Sequence, residues 1–182
     1  MSYMNEEAGL RREGAFGPFK SAGAPVNGTD EVQTLLMVGP PDGGSVLLGL
    51  TGRQGTVEIP YATLNHATPA IATAAVKAAV EARLPEGGSV TVVRSGGTGA
   101  RSFACTFGGK SGRRQMPTIT VVNRLTGGGA GLTVTETTPG VNGTQVGVAT
   151  AGATYMDTSN SKLYVNGGTA DAPNWSQVGT QA

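Results

Sequence analysis

Asp30-Glu31-Val32-Gln33-Thr34-Leu35 runs on through Leu36-Met37-Val38 and is halted by Gly39-Pro40-Pro41-Asp42-Gly43-Gly44. An apolar, β-branched run cut off by Pro and Gly reads as a strand followed by a turn. The next segment, Ser45 to Thr51, sets Val46, Leu48 and Leu50 at every second position, the spacing of a half-buried strand. The two runs therefore predict a hairpin, and Thr56 to Ile59 adds a third short strand.

The periodicity then changes. Thr68 followed by Pro69 supplies an N-cap residue and a proline at the first helical position. The Ala-rich stretch to Leu84 ends before Pro85 and Gly87-Gly88. Helical spacing places Ala72, Ala75, Val76, Ala79 and Val80 on one face, and Lys77 and Glu81 as an i,i+4 pair on the other. Small residues on the apolar face let the helix lie close to a sheet.

Beyond it, Ser89 to Arg94, Ser102 to Phe107, Thr118 to Asn123 and Leu132 to Thr137 read as strands between Gly-rich turns. One helix serving about seven strands predicts an α+β fold: a mainly antiparallel β body with one helix packed on it. Alternation puts Phe103, Cys105 and Phe107 on one face of their strand. Cys105 is the only cysteine, which excludes an intramolecular disulfide, and its neighbours mark it as a buried core residue.

Three segments follow from this reading. Residues 1–29 carry isolated anchors among glycines and prolines, and are expected to form an extended N-terminal arm whose partner-binding residues are Tyr3, Leu10, Arg11, Arg12, Phe16 and Phe19. Residues 30–138 form the body. Residues 139–182 are poorer in charge, and Tyr155-Met156-Asp157 and Lys162-Leu163-Tyr164-Val165-Asn166 flank the turn sequence Thr158-Ser159-Asn160-Ser161. They predict a C-terminal β-hairpin tip, to which Trp175 to Gly179 can add a strand. So few large apolar residues are marginal for an independent core, so Tyr155, Tyr164 and Trp175 are expected at an oligomer or tip contact. An internal echo, Asn27-Gly28-Thr29 against Asn142-Gly143-Thr144, marks two hinges.

Composition narrows the function. With 30 Gly and 10 Pro in 182 residues, many tight turns are expected. A charged fraction of 14% and a net charge of +1 lack the basic footprint of a nucleic-acid binder. No apolar run approaches the length of a membrane span, and the first residues have no apolar signal core. Gly108-Gly109-Lys110-Ser111 has Ala104 where a phosphate-binding loop needs its first glycine. Gly97-Thr98-Gly99 lacks the third glycine of a dinucleotide motif. His66 is the sole histidine, with no nucleophile elbow to accompany it. No catalytic residues, metal or cofactor are expected, and the chain is read as a structural protein instead of an enzyme.

The order of the pieces, from Asp30-Glu31-Val32-Gln33-Thr34 through the helix at Ala70 to Ala82, the strand Gly88 to Val92 and Ala104-Cys105-Thr106-Phe107-Gly108-Gly109, resembles a module that recurs in bacteriophage virion proteins. Residues 139–182 resemble small β-modules of phage fibre and head-decoration proteins, where a Tyr-x-Asp strand, a turn, a Leu-Tyr-Val strand and a late Trp recur. The resemblance implies a capsid decoration protein of cement or head-fibre type. It would be a homotrimer bound to the major capsid protein on the outer surface of the head, without direct nucleic-acid or membrane contact, made in the bacterial host cytoplasm. In that setting Lys110, Arg113 and Arg114 are candidates for contact with an acidic patch on the shell. The competing readings are a tail-fibre or other tail component, and a receptor- or glycan-binding module with Tyr155, Tyr164 and Trp175 as a stacking platform.

Overall fold

A computed structural model of the protein describes residues 18–97 and 100–179. In chain order the elements are β1 (Phe19–Ser21), β2 (Val32–Val38), β3 (Gly43–Leu50), β4 (Val57–Pro60), α1 (Tyr61–Leu64) and α2 (Pro69–Glu81). They continue with β5 (Gly88–Ser95), β6 (Ser102–Gly109), β7 (Ile119–Thr126), β8 (Gly131–Thr138), β9 (Thr154–Asp157), β10 (Lys162–Asn166) and β11 (Trp175–Gln177). The fold is β-rich α+β. The expected single helix is joined by α1, a one-turn helix that Pro60, at φ −61°, introduces directly from β4. Four residues are too few to leave a periodic signal.

The chain divides into two compact units, one made of residues 30–111 and 115–139, the other, in its described part, of residues 18–29, 112–114 and 140–179.

In the larger unit two antiparallel sheets, ordered β5-β6-β2-β8 and β4-β3-β7, enclose one core. The expected β2–β3 hairpin does not form. Instead β2 lies between β6 and β8, whereas β3 lies between β4 and β7. Each strand is paired on both edges within its own sheet, so Leu35 and Met37 on β2 and Val46 and Leu48 on β3 enter the same core from different sheets. Gly39, at φ +70°, makes the turn, and a Cβ there would sit 2.5 Å from the Gly129 carbonyl oxygen.

Helix α2 buries Ala72, Val76, Ala79 and Val80, with Ala75 packed beside them, and contacts mainly β5. Thr68 occupies the N-cap with extended backbone, but its hydroxyl makes no cap bond; its amide donates instead to His66 Nδ1 at 3.1 Å. The sheets are joined at one corner by Asn123, whose side chain donates to the Leu132 carbonyl at 3.1 Å and accepts from the Leu132 amide at 2.6 Å. That amide side chain stands in for a strand's backbone.

In the smaller unit a four-stranded sheet is ordered β1-β9-β10-β11, with β1 parallel to β9 and the other pairs antiparallel. Its core is Phe19, Ala149, Ala153, Tyr155 and Trp175, flanked by Val148 and Tyr164. The expected C-terminal hairpin forms from β9 and β10, and β11 adds its third strand, whereas the expected arm is corrected where described: residues 19–21 are a strand of the same sheet and supply apolar surface that the hairpin alone lacks. The two Asn-Gly-Thr segments run side by side, with Thr29 and Val141 exchanging backbone hydrogen bonds at 3.0 and 3.1 Å. Gly28, at φ +74°, lies so close that a Cβ would fall 2.8 Å from the Gly143 nitrogen.

Candidate partner-binding residues

Tyr3, Leu10, Arg11, Arg12 and Phe16 lie outside the described residues. Phe19 does not serve as a free anchor: it is 7% exposed and meets Trp175 edge-on, with ring centroids 6.5 Å apart. Tyr155 packs against Trp175 at 5.6 Å and against Tyr164 at 6.4 Å. Tyr155 and Trp175 are buried and Tyr164 is half-buried, so these three rings pack on one another within the smaller unit. The polar ends of Trp175 and Tyr155 are satisfied internally, since the Trp175 indole donates to Thr144 O at 3.0 Å and the Tyr155 hydroxyl to Gly23 O at 3.2 Å.

A polar frame supports that core. Buried Asp157 accepts the Gly23, Ser159 and Asn160 amides on Oδ1, at 2.9, 2.9 and 3.2 Å, and the Asn160 side chain on Oδ2 at 2.7 Å. The Asn160 side-chain bond foremost, then, against the opposing effect of desolvation, the three amides, holds this carboxyl below its ordinary pKa. Buried Asn166 donates to Ala149 O and Thr150 O and accepts from the Gly168 and Asn174 amides, so it locks two loops to β10. Asn27 Oδ1 accepts the Trp175 amide at 2.6 Å, which fixes β11 from the N-terminal side.

The basic loop is divided between the units. Lys110, exposed at the end of β6, lays its stem over Gly87, whereas Arg113 and Arg114 belong to the smaller unit. Arg113, at φ +54°, donates from Nη1 to Asn27 O and Gly28 O at 3.1 and 3.0 Å, and Arg114 Nε donates to Gly112 O. Both arginines are half-buried, and these bonds give them a structural task. Gly108-Gly109-Lys110-Ser111 ends a strand, with Gly109 at φ +56°, and no helix follows to receive a phosphate.

Two arginines converge at the end of α1. Arg94 donates to His66 O at 2.7 Å, and Arg101, 6% exposed, donates to Leu64 O and His66 O at 3.2 and 3.0 Å. They satisfy carbonyls that a helix end leaves unpaired. Among the described residues no group of three or more His, Cys, Asp or Glu is close enough to hold a metal, and no helix is long and apolar enough to cross a membrane.

Sequence reasoning overlooked Glu31 and Gln33, which are 0% and 1% exposed although polar. Gln33 shares the inward face of β2 with Leu35 and Met37, and that shared parity was the available signal. Comparison with known protein families, curated proteins and solved structures gives no match.

Proposed function

We propose that this chain is a structural virion protein, a capsid decoration protein that binds the outer surface of a phage head and stabilises it. The supporting observation is that the residues carrying the resemblance are those that build the two units. The strand opened by Asp30-Glu31 is central to its sheet, Cys105 and Phe107 lie in the larger core, and Tyr155, Asp157 and Trp175 organise the smaller one. A ligand that binds only the assembled lattice strengthens the shell by mass action, and many weak sites acting together suffice. Partner binding falls to residues 1–17, which carry Tyr3, Leu10, Arg11, Arg12 and Phe16, and to the exposed surface of the body. Assembly as a homotrimer on the major capsid protein completes the proposal.

The test is sedimentation of the purified protein with capsids that lack it, together with its copy number in purified virions. Hundreds of copies and saturable binding to heads support decoration. A few to dozens of copies confined to tails would replace it with a tail component.

A further inference from the structure

We infer that the outward face of the β5-β6-β2-β8 sheet is a docking surface for a flat, uncharged protein surface repeated on the assembled shell. The partner named here rests on the function proposed above; the character of the face does not.

The residues alternate along each strand, so the face can be read directly. Inward lie Leu35, Phe103, Cys105 and Phe107; outward, no position on any of the four strands is charged. Its exposed members include Val93 at 59%, Leu36 at 41%, and Thr133, Thr135 and Thr137. The outer face of the β4-β3-β7 sheet differs, for it carries exposed Glu58 and Arg124.

Several hydroxyls on the uncharged face are also bonded within the sheet. Thr34 and Thr137 share a hydrogen bond at 2.6 Å, as do Ser95 and Ser102 at 2.7 Å. Thr133 and Thr137 donate to the Leu36 and Val32 carbonyls, both at 3.3 Å. Covering a hydroxyl costs most when it loses water without gaining a partner. The hydroxyls of Thr34, Ser95, Ser102, Thr133 and Thr137 already have partners, so they can be dried without being orphaned.

Area decides the occupant. Four strands at about 4.8 Å spacing and about 24 Å of length give roughly 450 Å². A two-fold pair of copies joined through this face would bury roughly 900 Å² in total, below the about 1,200–2,000 Å² of stable interfaces. A free dimer is therefore not held by it, whereas a neutral surface presented many times on one particle gains by multivalency. An uncharged face also selects a partner without strong charge, and such a contact is nearly indifferent to salt.

The experiment compares wild type with Leu36→Glu, Thr135→Glu and Val122→Glu in capsid sedimentation at about 50 and about 500 mM salt. Circular dichroism confirms that each variant is folded, and ultracentrifugation reads self-association. Expected are wild-type binding that changes less than about twofold with salt, a loss of at least about tenfold in Leu36→Glu and Thr135→Glu, and no loss in Val122→Glu on the other sheet. Capsid binding that survives both substitutions on the face overturns this inference and leaves the proposed function standing. Wild type that fails to bind capsids at all overturns both. A free dimer dissolved by Leu36→Glu would make a second copy the occupant and overturn the shell partner.

Discussion

Gln33 Nε2 donates to Glu31 Oε1 at 2.6 Å inside the larger unit, and together the two side chains tie the segment before β7 to β2. Glu31 Oε2 accepts the Met116 amide at 2.6 Å, while Gln33 accepts the Ile119 amide at 2.7 Å and donates to Pro117 O at 3.1 Å. The chain enters the second sheet through this polar staple, which is why the opening motif carries two polar residues at buried positions. Glu31→Ala leaves two buried donors unpaired and is expected to cost about 3 kcal/mol, against less than about 0.5 kcal/mol for exposed Thr135→Ala. Urea denaturation checks this. Glu31→Gln should fall between them, because its amide would face the Gln33 amide donor; equal midpoints for all three would remove the staple from the account.

Lys77 and Glu81 treat Val90 as a neighbouring strand would. Lys77 Nζ donates to Val90 O at 2.8 Å and to Glu81 at 2.7 Å, and Glu81 accepts the Val90 amide at 3.0 Å. The free edge of β5 is thereby covered at that point. Desolvation pushes the Glu81 pKa up, but the bonds from Lys77 and Val90 outweigh it and hold it below its ordinary value. Lys77→Asp sets two carboxylates together and frees a strand carbonyl, so a loss of about 1 kcal/mol is expected. Val76→Asp, which buries an unpaired charge in the core, should cost several-fold more. Melting temperatures of the two variants give the ranking, and a neutral Lys77→Asp would show that the edge contact contributes nothing.

What the sequence disclosed, and what it withheld, follows from the range of the forces involved. Helix α2, the inward row Phe103, Cys105 and Phe107, and the strands themselves are legible because alternation and helical spacing are local. The sheet change between β2 and β3 is not, since a Gly-Pro turn suits a hairpin and a crossover between layers equally. The pairing of Phe19 with Tyr155 joins strands more than a hundred residues apart, and no local pattern announces it. Asp157 was visible as the strand residue before a turn, but its bond to the Gly23 amide was not, because that donor comes from the other end of the chain.

Truncation at two points tests that long-range pairing. Removing residues 1–17 leaves β1 intact, so the smaller unit should keep its folded Trp175 fluorescence. Removing residues 1–24 takes away Phe19 and the Gly23 groups bonded to Asp157 and Tyr155. The unit should then lose stability by more than the about 3–5 kcal/mol of a Phe→Ala change, because backbone pairing goes as well. The sole tryptophan reports on this unit alone. Identical spectra and melting curves for the two truncations would refute the role of β1.

Acid should open the same unit. The Asp157 carboxyl is held below its ordinary pKa by the bonds it accepts, so the stability it confers is complete above the unfolded value of about 3.9 and is lost as pH falls through the lower folded value. Trp175 fluorescence followed from pH 6 to about pH 2 should show a steep acid limb in wild type. Asp157→Asn, which cannot titrate, should be less stable at neutral pH yet show a flatter limb. An equally steep limb in the variant would assign the acid transition to other carboxyls.

Cys105 supplies a separate reporter for the larger unit. Burial pushes its thiol up to about 12, so at pH 8 the thiolate is only about one part in ten thousand, and the core denies reagents access to it. Iodoacetamide should therefore leave the native protein unlabelled and modify it only as urea unfolds the body. Linkage runs opposite to that of Asp157: the raised value confers stability that is complete below the unfolded pKa of about 8.5 and is lost as pH rises toward 12. Cys105→Ala should remove that alkaline decline while costing about 1 kcal/mol of packing at neutral pH. Rapid labelling of the native protein at pH 8 would mean that β6 opens to solvent far more readily than a strand paired on both sides should, and would overturn the placement of this thiol in the core.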